Sequence, residues 1–224
     1  MDYDWNFSWV WNNLGVLFNG LFVSFQLTVF STVLGILLSL ILLNLRTSKF
    51  PIVRYISVIL IELFRSIPLL VLLVWLYYCL PLFFSSLKIS AYSIAVISLT
   101  LNFAGFQSEI FRSSYESIPV AQLDVLHSMR FSRWQALRYV TIPQTFYKSL
   151  SPLLGQIINT LKLSALASFI TVPELFYQTT ALIQDTFRPL EFYTALSVLY
   201  LIIIIPLSML VQYFESYYKR KYEF

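Results

Sequence analysis

Five long apolar runs divide this chain, and runs of that length call for a lipid interior rather than a water-surrounded core. They cover about residues 15–45, 52–84, 89–111, 150–172 and 192–214. About 20 apolar residues cross a hydrocarbon layer of about 30 Å, so each run reaches from one membrane face to the other. Composition agrees: 58% of residues are hydrophobic, 12% are charged and the mean hydropathy is +0.73. Soluble domains run near 45–50% apolar and about 25% charged. Backbone N–H and C=O groups in lipid must pair within their own segment, so the expected fold is an all-α membrane protein of about five transmembrane helices. The second run is interrupted by Glu62, Arg65 and Pro68, and both it and the first are long enough to tilt or kink.

The positive charges orient these helices. Eleven of the 15 Lys and Arg residues lie in the first loop (Arg46, Lys49, Arg54), the third (Arg112, Arg130, Arg133, Arg138, Lys148) and the C-terminal tail (Lys219, Arg220, Lys221). The alternate loops hold two, Lys88 and Arg188, and the remaining pair, Arg65 and Lys162, lies within spans. The positive-inside rule then puts the N-terminus outside and the C-terminus in the cytoplasm, with Trp5, Trp9 and Trp11 in an outer interfacial belt. The net charge of +4 clusters between apolar runs, which suits anionic lipid and topology rather than nucleic acid.

Several chemistries drop out. Cys79 is alone, so no intramolecular disulfide or cysteine-rich metal site forms, and His127 is the one histidine, which removes histidine zinc sites and Ser–His or Cys–His pairs. No Gly-x-x-x-x-Gly-Lys-[Ser/Thr] occurs, so this chain is not expected to bind ATP itself. The first run follows Asp2 and Asp4 rather than Lys or Arg, so it reads as a retained span and not a cleaved signal.

The interval 112–148 is the longest basic loop. Pro119 and Pro143 bracket its centre, and each disfavours helix in the residue before it. Leu123, Leu126 and Met129 recur at helical spacing; then Ser132 is placed to cap a second apolar stripe of Trp134, Leu137 and Tyr139 or Val140. Two short helices with exposed apolar faces are expected. They either lie on lipid or plug a groove in a soluble partner.

The loop residues Ile118, Pro119, Ala121, Gln122, Asp124, Val125, Leu126 and Arg130, followed by Ile142, Pro143 and Gln144, carry a resemblance. The pattern is similar to Ile-Pro-x-Gly-Gln-x-Glu-Ala-Ala-x-x-x-Gly and a later Leu-Pro-Gln in the permease subunits of polar-amino-acid ABC importers, the histidine/glutamine permease family. Glu62-Leu-Phe-Arg65-Ser-Ile-Pro68, Tyr77 to Pro81, Ser108-Glu109-Ile-Phe-Arg112, and Lys162 to Leu166 with Glu174 and Leu175 resemble further family motifs, in order and at family spacing. The resemblance implies one permease domain over 1–224 of the type I importer kind, with 112–148 as a cytoplasmic loop coupling to a separate ATPase. Its coupling residues would be Ala121, Gln122, Asp124, Val125, Leu126, Arg130 and Pro143. It implies ATPase subunits, a second permease copy or a different permease, and an extracytoplasmic solute-binding protein as partners. It implies no cofactor in this chain, ATP and Mg being held by the ATPase, and an amino acid or amino-acid-like solute as cargo. Asp124 conserves the acid of the pattern, whereas Arg130 stands where the pattern has glycine. Glycine adopts positive φ at no cost, so Arg130 must either make a different turn or carry that conformation at a penalty.

Ionisable residues inside spans are costly and mark a pathway or a pair. Glu62 and Arg65 are helical i,i+3 neighbours that pair with each other or line the path. Glu109 and Arg112 read as an interfacial anchor. Lys162, with Asn159 and Ser164 nearby, either lines a polar cavity between two permeases, snorkels, or pairs with an acid on another span. Asn102 and Gln107 are further pathway candidates, with helix–helix contact the plainer reading of each. A secondary transporter or a membrane scaffold is the competing class; an intramembrane enzyme fits least, since no nucleophile–base spacing stands out.

Overall fold

The computed structural model describes residues 3–83, 89–122 and 128–222, with side chains left aside at Arg133 and 217–222. Helices account for its elements: α1 (Ser8–Asn12), α2 (Leu14–Arg46), α3 (Pro51–Ser66), α4 (Leu69–Phe83), α5 (Ala91–Glu116), α6 (Ile142–Leu163), α7 (Leu175–Thr186) and α8 (Pro189–Tyr222). Among the described residues four helices are long and apolar enough to cross a membrane, and α3 with α4 makes a fifth if the bent pair is one span. That pair turns through 101°. The cause is local: Ile67 is extended at ψ 122 before Pro68, whose ring excludes the helical conformation there.

The packing is organised around α5, whose apolar stretch is 72% buried, while that of α8 is 6% buried. α2 lies along α5 and, nearer its start, against the segment 174–178, and it presents small residues to both. Gly20, Ser24, Thr28, Ser31, Gly35 and Ser39 fall three or four apart and form its buried face. Lipid is as apolar as a leucine side chain, so helices associate there by close van der Waals approach and hydrogen bonds, which small residues permit. Between them Leu27, Leu73, Ile94, Leu99, Ala167 and Ile170 fill one cluster at the end away from Arg46. Leu17, Leu21, Leu175, Leu182, Phe192 and Leu196 join α2, α7 and α8 in a second.

Two expectations need correction. The loop between the fourth and fifth apolar runs, which holds Arg188, contains the helix α7. Glu174 caps it by accepting from the N–H groups of Tyr177 (2.7 Å) and Phe176 (3.0 Å), and Phe187 ends it in the left-handed region at φ 56. Second, Pro143 does not interrupt helix: Ile142 before it is helical at φ −61, ψ −50. The short helix Arg133–Ala136 instead runs into α6 through a wide π turn, Leu137–Thr141. The extra residue in that turn displaces the carbonyl that the proline ring would strike.

Candidate functional site

The end of the bundle carrying Arg46 and Arg112 is built first by charge. Arg46 on α2 donates to Glu109 on α5 at 2.8 Å, and Arg112 donates to Glu109 and to Glu116. Glu109 therefore joins two helices, and the pair read from sequence as an anchor within α5 extends to α2. From this end the loop projects, and its two stems are tied together. Lys148 donates from Nζ to the Ser117 carbonyl at 2.9 Å, and Gln144 donates from Nε2 to Gln122 Oε1 at 2.9 Å.

Of the expected coupling residues, Ala121, Gln122 and Arg130 are exposed, and Pro143 is half-buried. Asp124, Val125 and Leu126 lie outside the described residues, as does 84–88 of the opposite loop. Ser132 caps the second helix as its position suggests: Gln135 N–H donates to Ser132 Oγ at 3.2 Å, and Ser132 N–H donates to Gln135 Oε1 at 2.8 Å. That reciprocal pair is a capping box. Just before it, Arg130 takes φ 57. Of the two outcomes open in the sequence, the chain keeps the left-handed turn and places a Cβ in it, at a cost of roughly 1–2 kcal/mol. Met129 and Trp134 on either side are 64% and 65% exposed, so the cap presents apolar surface beside its charge.

The pathway candidates separate into two groups. Asn159 and Lys162 are both exposed and, being i,i+3, share a face of α6 with Pro152 and Gly155. Asn102, Gln107 and Ser164 are buried instead. Ser164 donates to the Leu161 carbonyl at 2.8 Å, while both amide atoms of Gln107 are buried without a hydrogen-bond partner. Arg65 donates to Glu62 at 3.2 Å, within α3. The guanidinium also lies 5.6 Å from the centre of the Phe106 ring, where Gly105 leaves room for it to cross α5.

One site residue was visible in sequence only as part of a motif. Glu174 is fully buried, and besides capping α7 it accepts from Ser24 Oγ of α2 at 3.3 Å, while Leu175 N–H donates to the same hydroxyl. Burial pushes the Glu174 carboxyl up to about 7 against the pull of the Phe176 and Tyr177 N–H groups and the Ser24 hydroxyl. A carboxylate that follows Pro173 and precedes a helical stripe is the signal that identifies such a cap.

Comparison with known proteins follows the same lines. A family model described as a binding-protein-dependent transport system inner membrane component matches residues 31–223. The glutamine transport system permease protein GlnP of Escherichia coli (strain K12) is 30% identical over 215 residues, covering 96% of this chain and 97% of that protein. The L-cystine transport system permease protein TcyB of Bacillus subtilis (strain 168) is 33% identical over 161 residues, covering 72% of this chain and 68% of that protein. A solved amino acid ABC transporter, crystallised with histidines, superposes with a TM-score of 0.90 at 27% identity, over 96% of this chain and 99% of its own.

Proposed function

The chain belongs to the family of binding-protein-dependent transport system inner membrane components, and from that footing we propose that it forms one half of an amino acid's path into the cell. Family members are transport components of ABC importers, and the energy for the cycle comes from ATP hydrolysed on a separate ATPase. The end bearing Arg46, Arg112 and Lys148 faces the cytoplasm, in accord with the concentration of positive charge there. The loop from 112 to 148 meets the ATPase, and the opposite end receives solute from a binding protein. A second permease, identical or different, completes the path.

The observation that carries this reading is the exposed pair Asn159 and Lys162. Lys162 lies about 21 Å further along the helix than Lys148, well within a hydrocarbon layer of about 30 Å. A lysine facing lipid at such depth costs about 2.5–3.5 kcal/mol, so this face belongs against a second permease and a water-filled passage. An exposed ammonium beside an amide in that passage suits the carboxylate of an amino acid. In proteoliposomes holding the whole transporter, Lys162→Met should abolish uptake while the complex still assembles. In a Cys79→Ser background, Asn159→Cys should react with a water-soluble maleimide. Normal uptake with Lys162→Met, together with an unreactive Cys at 159, would place this face in lipid and overturn the reading.

A further inference from the structure

Arg130 is held in a conformation that suits glycine, and no described residue of the chain pairs with its charge. Among the described residues its φ of 57 is one of three positive values at non-glycine residues, and like Thr171 and Phe187 it follows the end of a helical stretch, where glycine is the usual occupant. Arg130 is exposed, and among the described residues no ion pair or hydrogen bond involves its side chain. The nearest described acid along the chain, Glu116, is taken by Arg112. A long charged side chain kept at such a position, with no partner among the described residues, points to a use outside the molecule.

The backbone that follows Arg130 is fixed as well. The capping box at Ser132 and Gln135 begins two residues later and locks the start of the next helix, while the Gln122–Gln144 and Lys148–Ser117 bonds fasten the loop's stems. Met129 and Trp134 add exposed apolar surface before and after Arg130 along the chain. A lipid headgroup would ask none of this. Anionic lipid attracts Lys and Arg in any conformation, and Arg138 already supplies an exposed positive charge on the same segment. A protein surface with one carboxylate at a set place does ask for it, because guanidinium and carboxylate pair through two parallel hydrogen bonds of fixed geometry.

We propose that Arg130 is a specificity residue for the partner ATPase, and that the ATPase presents an Asp or Glu at the rim of the groove that receives Met129 and Trp134. This rests on the reading of 112–148 as the ATPase-coupling loop. The pairing selects the ATPase that carries the acid over otherwise similar ATPases that lack it, because a guanidinium buried against a groove without an acid stays unpaired.

The test uses the assembled transporter, purified with Arg130, Arg130→Gly, Arg130→Asn or Arg130→Lys. ATPase retention is measured from low to high NaCl. Gly and Asn both tolerate the left-handed turn, so each keeps the loop's shape and removes the charge. Both should hold the ATPase about tenfold more weakly and with a flatter salt dependence, and Lys should fall between them and the parent. Equal affinity and salt dependence for all four overturn the proposal. So does unchanged ATPase retention accompanied by weaker binding to phosphatidylserine vesicles, which would assign Arg130 to lipid. A photocrosslinker on Met129→Cys, in the Cys79→Ser background, separates the two readings. Crosslinking to the ATPase with indifferent Arg130 variants removes only this proposal; no crosslink to the ATPase removes the coupling role of the loop with it.

Discussion

Gly35 and Gly20 both sit on the buried face of α2, yet an added methyl group meets different obstacles at the two sites, and that difference can be measured. A Cβ on Gly35 would lie 2.5 Å from Cδ1 and 3.0 Å from Cγ of Phe103, a fully buried ring on α5. A Cβ on Gly20 would lie 2.9 Å from the Leu175 Cα, 3.0 Å from the Glu174 carbonyl oxygen and 2.9 Å from Gln178 Cγ. Overpacking of this kind costs about 1–3 kcal/mol, and replacing an interior helical glycine by alanine returns about 1 kcal/mol. Each Gly→Ala variant should therefore lose up to about 2 kcal/mol. At about 2–4 °C per kcal/mol for a chain of this size, the unfolding midpoint falls by up to roughly 8 °C. Gly15→Ala is the control, with nothing within 4 Å of its Cβ, and should match or exceed the parent. The sites part company on rescue. Phe103→Leu opens space beside residue 35, so the double variant Gly35→Ala, Phe103→Leu should be at least about 1 kcal/mol more stable than the two single losses summed. Gln178→Ala should do nothing of the kind for Gly20→Ala, because the Leu175 and Glu174 backbone stays in place. The assay is thermal unfolding of the purified chain in detergent, followed by tryptophan fluorescence. Additive losses at residue 35, or recovery at residue 20, would refute the account of how α2 docks.

Two further outcomes follow from the polar contacts. Glu174 has its folded pKa raised to about 7, above the ordinary carboxylate value, so the protonated form favours the fold. Stability is then fully present below about pH 4.5 and is lost as pH rises towards 7; Glu174→Gln should flatten that slope, as unfolding midpoints at pH 5 and pH 8 would report. Glu109 accepts from Arg46 and Arg112, and Glu109→Gln should lower stability by about 1–2 kcal/mol. In a double-mutant cycle, Arg46→Met should cost less once Glu109 is already Gln, and strict additivity would rule out the α2–α5 clamp.

What could be read from the sequence was whatever a single segment dictates. Pro68 breaks the second run because it constrains its own neighbour, Ser132 caps because its hydroxyl and Gln135 are three apart, and Arg130 stands at a turn that any residue there must make. Pro143 misled for the same reason: the local rule is sound, but a π turn five residues long absorbs the clash. Contacts between distant segments were not legible. Nothing near Arg46 names Glu109, 63 positions away, and nothing near Ser24 names Glu174, 150 away. Nor could apolar periodicity decide which polar residues face outward. In water a helix shows its inward face by its leucines, whereas a span surrounded by lipid carries leucines on both sides.

That loss of contrast leaves another signal, which separates the outer faces of this bundle. On α2 the buried face is the small and polar one, Ser24, Thr28, Ser31 and Ser39, while Phe22, Val29, Val33 and Leu37 point outward. On α8 the exposed side chains include Val198, Leu201, Ile202, Ile205 and Leu210, which lipid satisfies without any partner. On α6 the exposed face carries Pro152 and Gly155 together with Asn159 and Lys162, and lipid does not satisfy the last two. A polar, glycine-containing face at membrane depth repeats the composition of the buried α2 face, with the difference that no described helix of this chain covers it. The same physics that draws α2 onto α5 would draw a further helix onto the α6 face, which is what the proposed second permease supplies, whereas the α8 side is apolar enough for lipid.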